Sequence, residues 1–353
     1  MATKGYHQYR GRGRGGKKLL VLLLLLILLG ACTFLFLQRY LVYNDDGSVS
    51  LQLPFGQQEE QQPGKIPDDE IDIQREDPNS DPDPDPTPDP APDPEPVPLQ
   101  QLHARELPYS CLSSGDPTRF LQDTEAVVVN IKQADGTIAY HTGIDLPANV
   151  LRGNESTLTR LQTIAQSDCY TVARMAVLCD SAFAAAVPEA ALRYRSGALW
   201  LDNFNRFWLD PSSERVAEHI CALARECVEM GFDEILLDQL RYPIEGNLSQ
   251  TSLDAGTDRA AVIAALVAKI REAVGPQVAV SIILPASIGT DYSFAQSGLT
   301  PQVLMESFDR IYVPQGSGSQ YWLNGVLTDD YDRSARLVLT ASYAAADSYM
   351  IVQ

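Results

Sequence analysis

The chain has 353 residues, 45% of them hydrophobic, and a formal net charge of −19. That length permits more than one domain. The acidic balance excludes a nucleic-acid partner for most of the chain, because neutralising phosphates takes clustered Lys and Arg.

The basic residues that do cluster lie at the start. Residues 1–18 carry Lys4, Arg10, Arg12, Arg14, Lys17 and Lys18 and no acid. Residues 19–37 follow without a charge. At about 1.5 Å of rise per residue this run approaches the ~30 Å hydrocarbon core of a bilayer, so it is expected to be a transmembrane helix. The positive-inside rule then puts residues 1–18 in the cytoplasm as a basic tail. The C-terminal part would lie outside, in a single-pass cell-membrane protein. Two alternatives stay open. Leu29-Gly30-Ala31-Cys32 resembles a lipoprotein processing site with Cys32 as the lipidated residue, and a cleaved signal peptide is the other. The apolar run continues through Phe34, Leu35, Phe36 and Leu37, which favours an uncleaved signal anchor.

Residues 38–104 read as a disordered, acidic, Pro-rich linker. From Asn44 to Gln100 there are 16 acids against Lys65 and Arg75, and Pro stands at every second position from Pro82 to Pro98. Pro fixes φ and removes an amide donor, so helix and sheet are excluded there. In polyproline II, at roughly 3.1 Å per residue, this stretch reaches at most ~180 Å. It is either a spacer through a cell envelope or a plain tether.

Residues 105–353 are expected to fold as one α/β domain. Apolar runs of strand length lie at residues 126–131, 171–177, 234–237, 278–284, 310–313, 337–340 and 349–352, and a further candidate is 107–112. Eight strands in about 250 residues are the size of a (β/α)8 TIM-type barrel. Helices alternate with them. Asp210-Pro211 is predicted to open one that carries Val216, Ile220, Leu223, Ala224 and Cys227 and stops at Gly231. Another is expected from Thr257-Asp258 to Gly275-Pro276. An open doubly wound sheet is the alternative, but no Gly-rich phosphate loop follows the first strand.

The domain's five cysteines include no CxxC pair, so neither a zinc nor a redox site has its signature, and no metal or cofactor is expected. Buried thiols are the expected state. No GxSxG is present for a Ser-His-Asp triad. The Gly316-Ser317-Gly318-Ser319 stretch is expected to be a flexible connection.

Barrel enzymes carry their chemistry at the C-terminal ends of strands. Asp238 ends the apolar run Ile235-Leu236-Leu237, with Arg241 and Tyr242 close behind. Asp180 follows the preceding strand, and Arg174 lies inside that strand, where a buried charge needs a partner.

These segments resemble a known family. Phe232 to Pro243 is similar to the G-F-D-E-I-x-x-D-x-x-R-[FY]-P signature of the "putative glycoside hydrolase domain" family. Four further segments match in order. They are Ala126 to Tyr140 with Lys132, Asp135-Gly136 and Tyr140; Tyr170 to Arg174 with Asp180; Gly197 to Trp200; and Trp208 to Pro211. The resemblance implies a TIM-type barrel and glycan hydrolysis. The chain departs from the family in three places: Asn130 and Gln133 stand in the second strand region where acids are usual, Val280 to Pro285 lacks the usual Asp, and Val313-Pro314-Gln315 replaces S-P-M.

Glycoside hydrolysis uses two carboxyl groups, one to protonate the leaving oxygen and one as nucleophile or base. The resemblance makes Asp238 the expected nucleophile or base and Asp180 the expected acid. Arg174, Arg241 and Tyr242 would orient carboxylates or sugar hydroxyls, Trp200 and Trp208 would stack on sugar rings, and Lys132 and Gln315 would add substrate contacts. Each has a structural rival: Asp238 held by Arg174 or Arg241, Asp180 as a helix cap, the tryptophans as packing. The partner expected is a polysaccharide or cell-wall glycan, hydrolysed or, in a degenerate barrel, only bound. A purely structural envelope protein is the third class. A second carboxyl group is expected to face Asp238 across an open cleft.

Overall fold

The computed structural model describes residues 98–352 apart from 148, 149 and 345, and the backbone of two short antiparallel strands, Leu41–Tyr43 and Val49–Leu51. The expected basic tail, transmembrane helix and most of the expected linker lie outside the described residues. Among the described residues, no helix is long and apolar enough to cross a membrane.

Eight parallel strands close into a barrel. They are β1 (His103–Glu106), β2 (Ala126–Lys132), β3 (Tyr170–Ala176), β4 (Glu234–Asp238), β5 (Ala279–Ile283), β6 (Ile311–Pro314), β7 (Leu337–Ala341) and β8 (Tyr349–Ile351). Each pairs with its neighbours in sequence, and β8 closes on β1 through Met350 and Ala104. This is the predicted (β/α)8 barrel. Strand residues two apart share a face, and one set fills the lumen: Ala104, Val128, Val172, Leu236, Tyr312, Val338 and Met350. The alternate set faces the helices.

Two local expectations are corrected. Residues 107–112 are not the first strand. The pairing segment is His103–Glu106, and Pro108, which has no amide to donate, follows it. Cys111 and Leu112 are instead buried on a short helix, α1 (Ser110–Ser113). The folded domain therefore starts before residue 105, with Leu102 and Ala104 already in the core.

The long helices are α2 (Glu155–Ala165), α4 (Glu214–Met230) and α5 (Arg259–Val274), with α3 (Ser181–Ala186) between the first two. Asp258 caps α5 through Ala261 N, and Gly231 ends α4 in the left-handed region, as predicted. Helix α4 begins at Glu214, three residues beyond Pro211. Asp210 spends its carboxylate on the turn before it, accepting from Ser212 N and Oγ at 2.9 and 2.6 Å. The Gly316–Ser319 stretch is not a free connection: Ser317 caps α8 (Gly318–Val326), and buried Ser319 donates to the Pro285 and Ile288 carbonyls. Helices α6 (Asp291–Ser297) and α7 (Pro301–Ser307) lie between β5 and β6, and α9 (Arg333–Arg336) precedes β7.

The barrel floor, at the N-terminal ends of the strands, holds a buried polar cluster. Glu234 pairs with Arg310 at 2.5 Å and accepts from Tyr170 at 3.0 Å and Tyr312 at 2.8 Å. Removing one partner of such a pair strands the other charge in the core. All five cysteines of the barrel are free thiols, four of them buried.

Candidate functional site

The lumen-facing positions end, at the C-terminal mouth, in polar residues. On β1 the alternation Leu102, Ala104 continues to Glu106. On β2, Ala126 and Val128 lead to Asn130. On β3, Val172 leads to Arg174, and on β4, Leu236 leads to Asp238. The strand register pairs Asn130 with Arg174, and sets Glu106 one lumen-facing step below them and Asp238 one step above.

Arg174 joins the two acids. Its Nη1 meets Glu106 Oε1 at 2.6 Å, and its Nη2 and Nε meet Asp238 Oδ2 at 2.7 and 3.1 Å. The three side chains are about one fifth exposed, 21%, 21% and 18% for Arg174, Glu106 and Asp238, so the group opens to solvent. Burial alone would lower the Arg174 pKa, but Asp238 and Glu106 outweigh it and hold the guanidinium charged. Both carboxylates bond one planar guanidinium. Their contacting oxygens therefore stand no more than ~8 Å apart, which does not exceed the separations that glycosidase carboxyl pairs span.

Asp238 is fixed from both sides. Its Oδ1 accepts from Gln239 N at 2.7 Å, and Gln239 takes φ +52°. A side chain held at positive φ is strained, and such residues cluster at functional sites. Beside Glu106 lies a cavity of about 250 Å³, lined in part by Tyr109, Asn130 and Gln133. Asn130 Oδ1 is buried and has no hydrogen-bond partner among the described residues. An orphaned acceptor of this kind is costly unless a ligand or water supplies a donor. A larger cavity, about 770 Å³, lies at the barrel floor beside Arg310 and Tyr170. It is remote from the mouth, and barrel chemistry belongs at the other end.

The sequence-predicted residues divide. Arg174 and Asp238 come together, and Gln315 is exposed just past the end of β6. Asp180 does not join them. It is fully buried, pairs with Lys132 at 2.7 Å and caps α3 by accepting from Phe183 N at 2.8 Å. Lys132, 1% exposed, also donates to the Ala176 carbonyl, so it is a buried partner of Asp180 and not a substrate contact. Trp200 and Trp208 are 1% and 0% exposed and offer no ring face to a sugar. Trp200 packs on Gly246, and Trp208 donates its Nε1 to Asp202. Arg241 is buried over the Trp208 ring, forked onto Glu245 at 2.7 and 3.0 Å. Tyr242 is buried as well.

Glu106 is a second carboxylate at the mouth, joined to Asp238 through Arg174. Sequence reasoning missed it because the strand was placed at residue 107. The signal was there: Leu102-x-Ala104-x-Glu106 is the same apolar alternation ending in an acid as Leu236-x-Asp238. Among the described residues no cluster of His, Cys, Asp and Glu is arranged to hold a metal ion.

The family described as "putative glycosyl hydrolase domain" matches residues 119–303. No curated protein matches the chain. Among solved structures, a hypothetical protein from Ruminiclostridium thermocellum is 28% identical over 48% of this chain and 89% of its own, with a TM-score of 0.41. The glycoside hydrolase domain of PelA from Pseudomonas aeruginosa is 12% identical over 69% of this chain and 83% of its own, TM-score 0.42. The α-galactosidase TtGalA from Thermus thermophilus is 18% identical over 61% of this chain, TM-score 0.37, and the match spans 42% of that enzyme. With the family matched over more than half of its length, the chain belongs to that family, as a divergent member with a glycoside hydrolase-like barrel.

Proposed function

We propose that this member of the glycosyl hydrolase domain family is a membrane-tethered hydrolase of cell-envelope or extracellular polysaccharide, with Glu106 and Asp238 as its carboxyl pair. The observation that carries the reading is their joint attachment to Arg174 at the open barrel mouth. One carboxyl group gives its proton to the glycosidic oxygen as the C–O bond breaks. The other attacks the anomeric carbon or takes the proton of an attacking water. Asp238, fixed by Arg174 and by Gln239 N, suits the second role, and Glu106, at the edge of the cavity, takes the first once it gives up its bond to Arg174 and carries a proton. Arg174 positions both, and a sugar hydroxyl entering between them replaces one of its bonds. A hydroxyl donated to Asn130 Oδ1 satisfies the orphaned acceptor.

The uncharged run at residues 19–37, preceded by the basic tail, supports an anchor with the barrel outside the cytoplasm. The acidic Pro-rich stretch supports a spacer between the two. Protease shaving of intact cells that removes the barrel supports this placement; a barrel protected until lysis contradicts it.

One observation favours a second reading. Arg174 saturates the side of Asp238 that faces Glu106, as expected of a barrel that binds glycan without cleaving it. Reducing-sugar release by the purified chain on cell-wall and secreted polysaccharides separates the two. Release by the parent and none by Asp238→Asn establishes hydrolysis. Retention on one of these glycans without release by either establishes a binding module.

A further inference from the structure

A further cavity, of about 560 Å³, lies among the β3–α4 connection, the β4–α5 connection and the start of α6. Connections that leave the C-terminal ends of strands stand on the mouth face of a barrel, so this cavity shares its face with Glu106 and Asp238. Its lining includes Arg195 and Arg259. Among the described residues neither guanidinium is ion-paired with a carboxylate. Arg195 is exposed and touches the Thr251 carbonyl from Nε at 3.4 Å. Arg259 lies over the Tyr242 ring and donates from Nη1 to the Gln296 carbonyl and Oε1, both at 2.7 Å. The acid of the lining, Asp254, turns its Oδ1 back onto Gly256 N. Tyr292 at the rim is 75% exposed.

The location makes the charge informative. Residues 101–353 carry 30 acids and 18 Lys or Arg. Two arginines without acidic partners in one concavity reverse the local sign on an otherwise acidic domain. A guanidinium matches a carboxylate in a two-pronged fit. An exposed tyrosine presents an apolar ring with a polar tip, suited to the face of a sugar.

We propose that this cavity is a subsite for a carboxylate-bearing sugar unit, a uronate, of the bound glycan. The inference rests on the reading that the barrel takes a glycan and adds the chemical class of that glycan. Arg195 and Arg259 hold the carboxylate, and Tyr292 covers the sugar ring.

The test is calorimetric titration of the intact chain with sodium glucuronate, sodium galacturonate and the uncharged methyl glucoside and methyl galactoside. A uronate binds, its uncharged counterpart binds at least about ten-fold more weakly, and raised salt weakens the uronate, since the contact is ionic. Arg195→Ala and Tyr292→Ala change exposed side chains and leave the fold intact. Arg195→Ala weakens the uronate about ten-fold. Equal binding of charged and uncharged sugars, no binding of either uronate, or an unchanged affinity in Arg195→Ala overturns the proposal. Asp238→Asn keeps the uronate affinity while removing hydrolysis. A chain that binds uronate yet cleaves nothing therefore loses the hydrolase reading and keeps this one.

Discussion

Replacing Lys132 by Met, with Asp180 left in place, tests whether Asp180 is structural. The two side chains are 0% and 1% exposed and 2.7 Å apart. Lys132→Met leaves the Asp180 carboxylate buried without its counter-charge, and Asp180→Asn leaves the Lys132 ammonium in the same condition. Stranding one member of a buried pair costs about 3–5 kcal/mol. Total stabilities of ~5–15 kcal/mol make that a large fraction. In the double variant no charge is left stranded, and the Asn side chain still caps α3 at Phe183 N. The double variant should therefore be more stable than the sum of the single losses implies, by roughly 2–3 kcal/mol, near the top of the range for contacting residues. Urea unfolding of the parent, both singles and the double closes the cycle. Single losses below about 1 kcal/mol, or losses that simply add, would refute the structural reading and return Asp180 to the catalytic candidates.

Other perturbations follow from the same packing. His219 on α4 stacks on Phe183 at 4.3 Å, and burial, aided by the Lys132 charge, pushes its pKa down to about 4 from 6.5. Below pH 6.5 the unfolded chain takes up a proton that the folded one refuses. Stability is therefore lost as pH falls from 6.5 to about 4, by roughly 3 kcal/mol. Urea titrations at pH 7 and pH 4 measure the loss, and His219→Phe should largely remove it. At the floor, Arg310→Met strands Glu234 and should cost about 3–5 kcal/mol in the same assay. Gly136 has φ +97°, and a Cβ there would stand 2.2 Å from Asp180 Oδ1. Gly136→Ala should lower the thermal midpoint, and an unchanged midpoint would contradict the close approach. Burial pushes the Cys111 thiol up to about 11 and the Cys179 thiol up to about 12, so both should resist alkylation at pH 8 until the barrel unfolds.

The barrel was readable because its strands are buried on both faces and so appear as unbroken apolar runs. Seven of the eight strands lie where the runs stand. The first does not, because its four residues mix His and Arg with Ala and Glu, and only the closure with Met350 and Val128 makes them a strand. That error hid Glu106. Asp238 and Arg174 were legible since both are charged residues inside or ending apolar strands, a placement that demands a partner. Asp180 has the same local appearance and a different fate, because β3 ends at Ala176 and Asp180, four residues on, caps α3 and pairs with buried Lys132. Trp200 and Trp208 sit in the long β3–α4 connection, where sequence does not separate a packed ring from an exposed one. Their burial follows from a fold-back pairing Cys179 with Trp208, Ala191 with Leu209 and Arg193 with Leu199. The aromatic rings that are exposed are Tyr109, Phe204, Tyr292, Tyr321 and Tyr343.

The claim that Glu106, and not Asp180, is the partner of Asp238 is tested most directly by one assay. Reducing-end release is measured on a polysaccharide cleaved by the parent chain, for Glu106→Gln, Asp238→Asn and Asp180→Asn, each checked for folding by circular dichroism. The geometry predicts at least a hundred-fold loss for the folded Glu106 and Asp238 variants, and parent-like turnover for whatever fraction of Asp180→Asn remains folded. Near-parent release by folded Glu106→Gln would contradict the account.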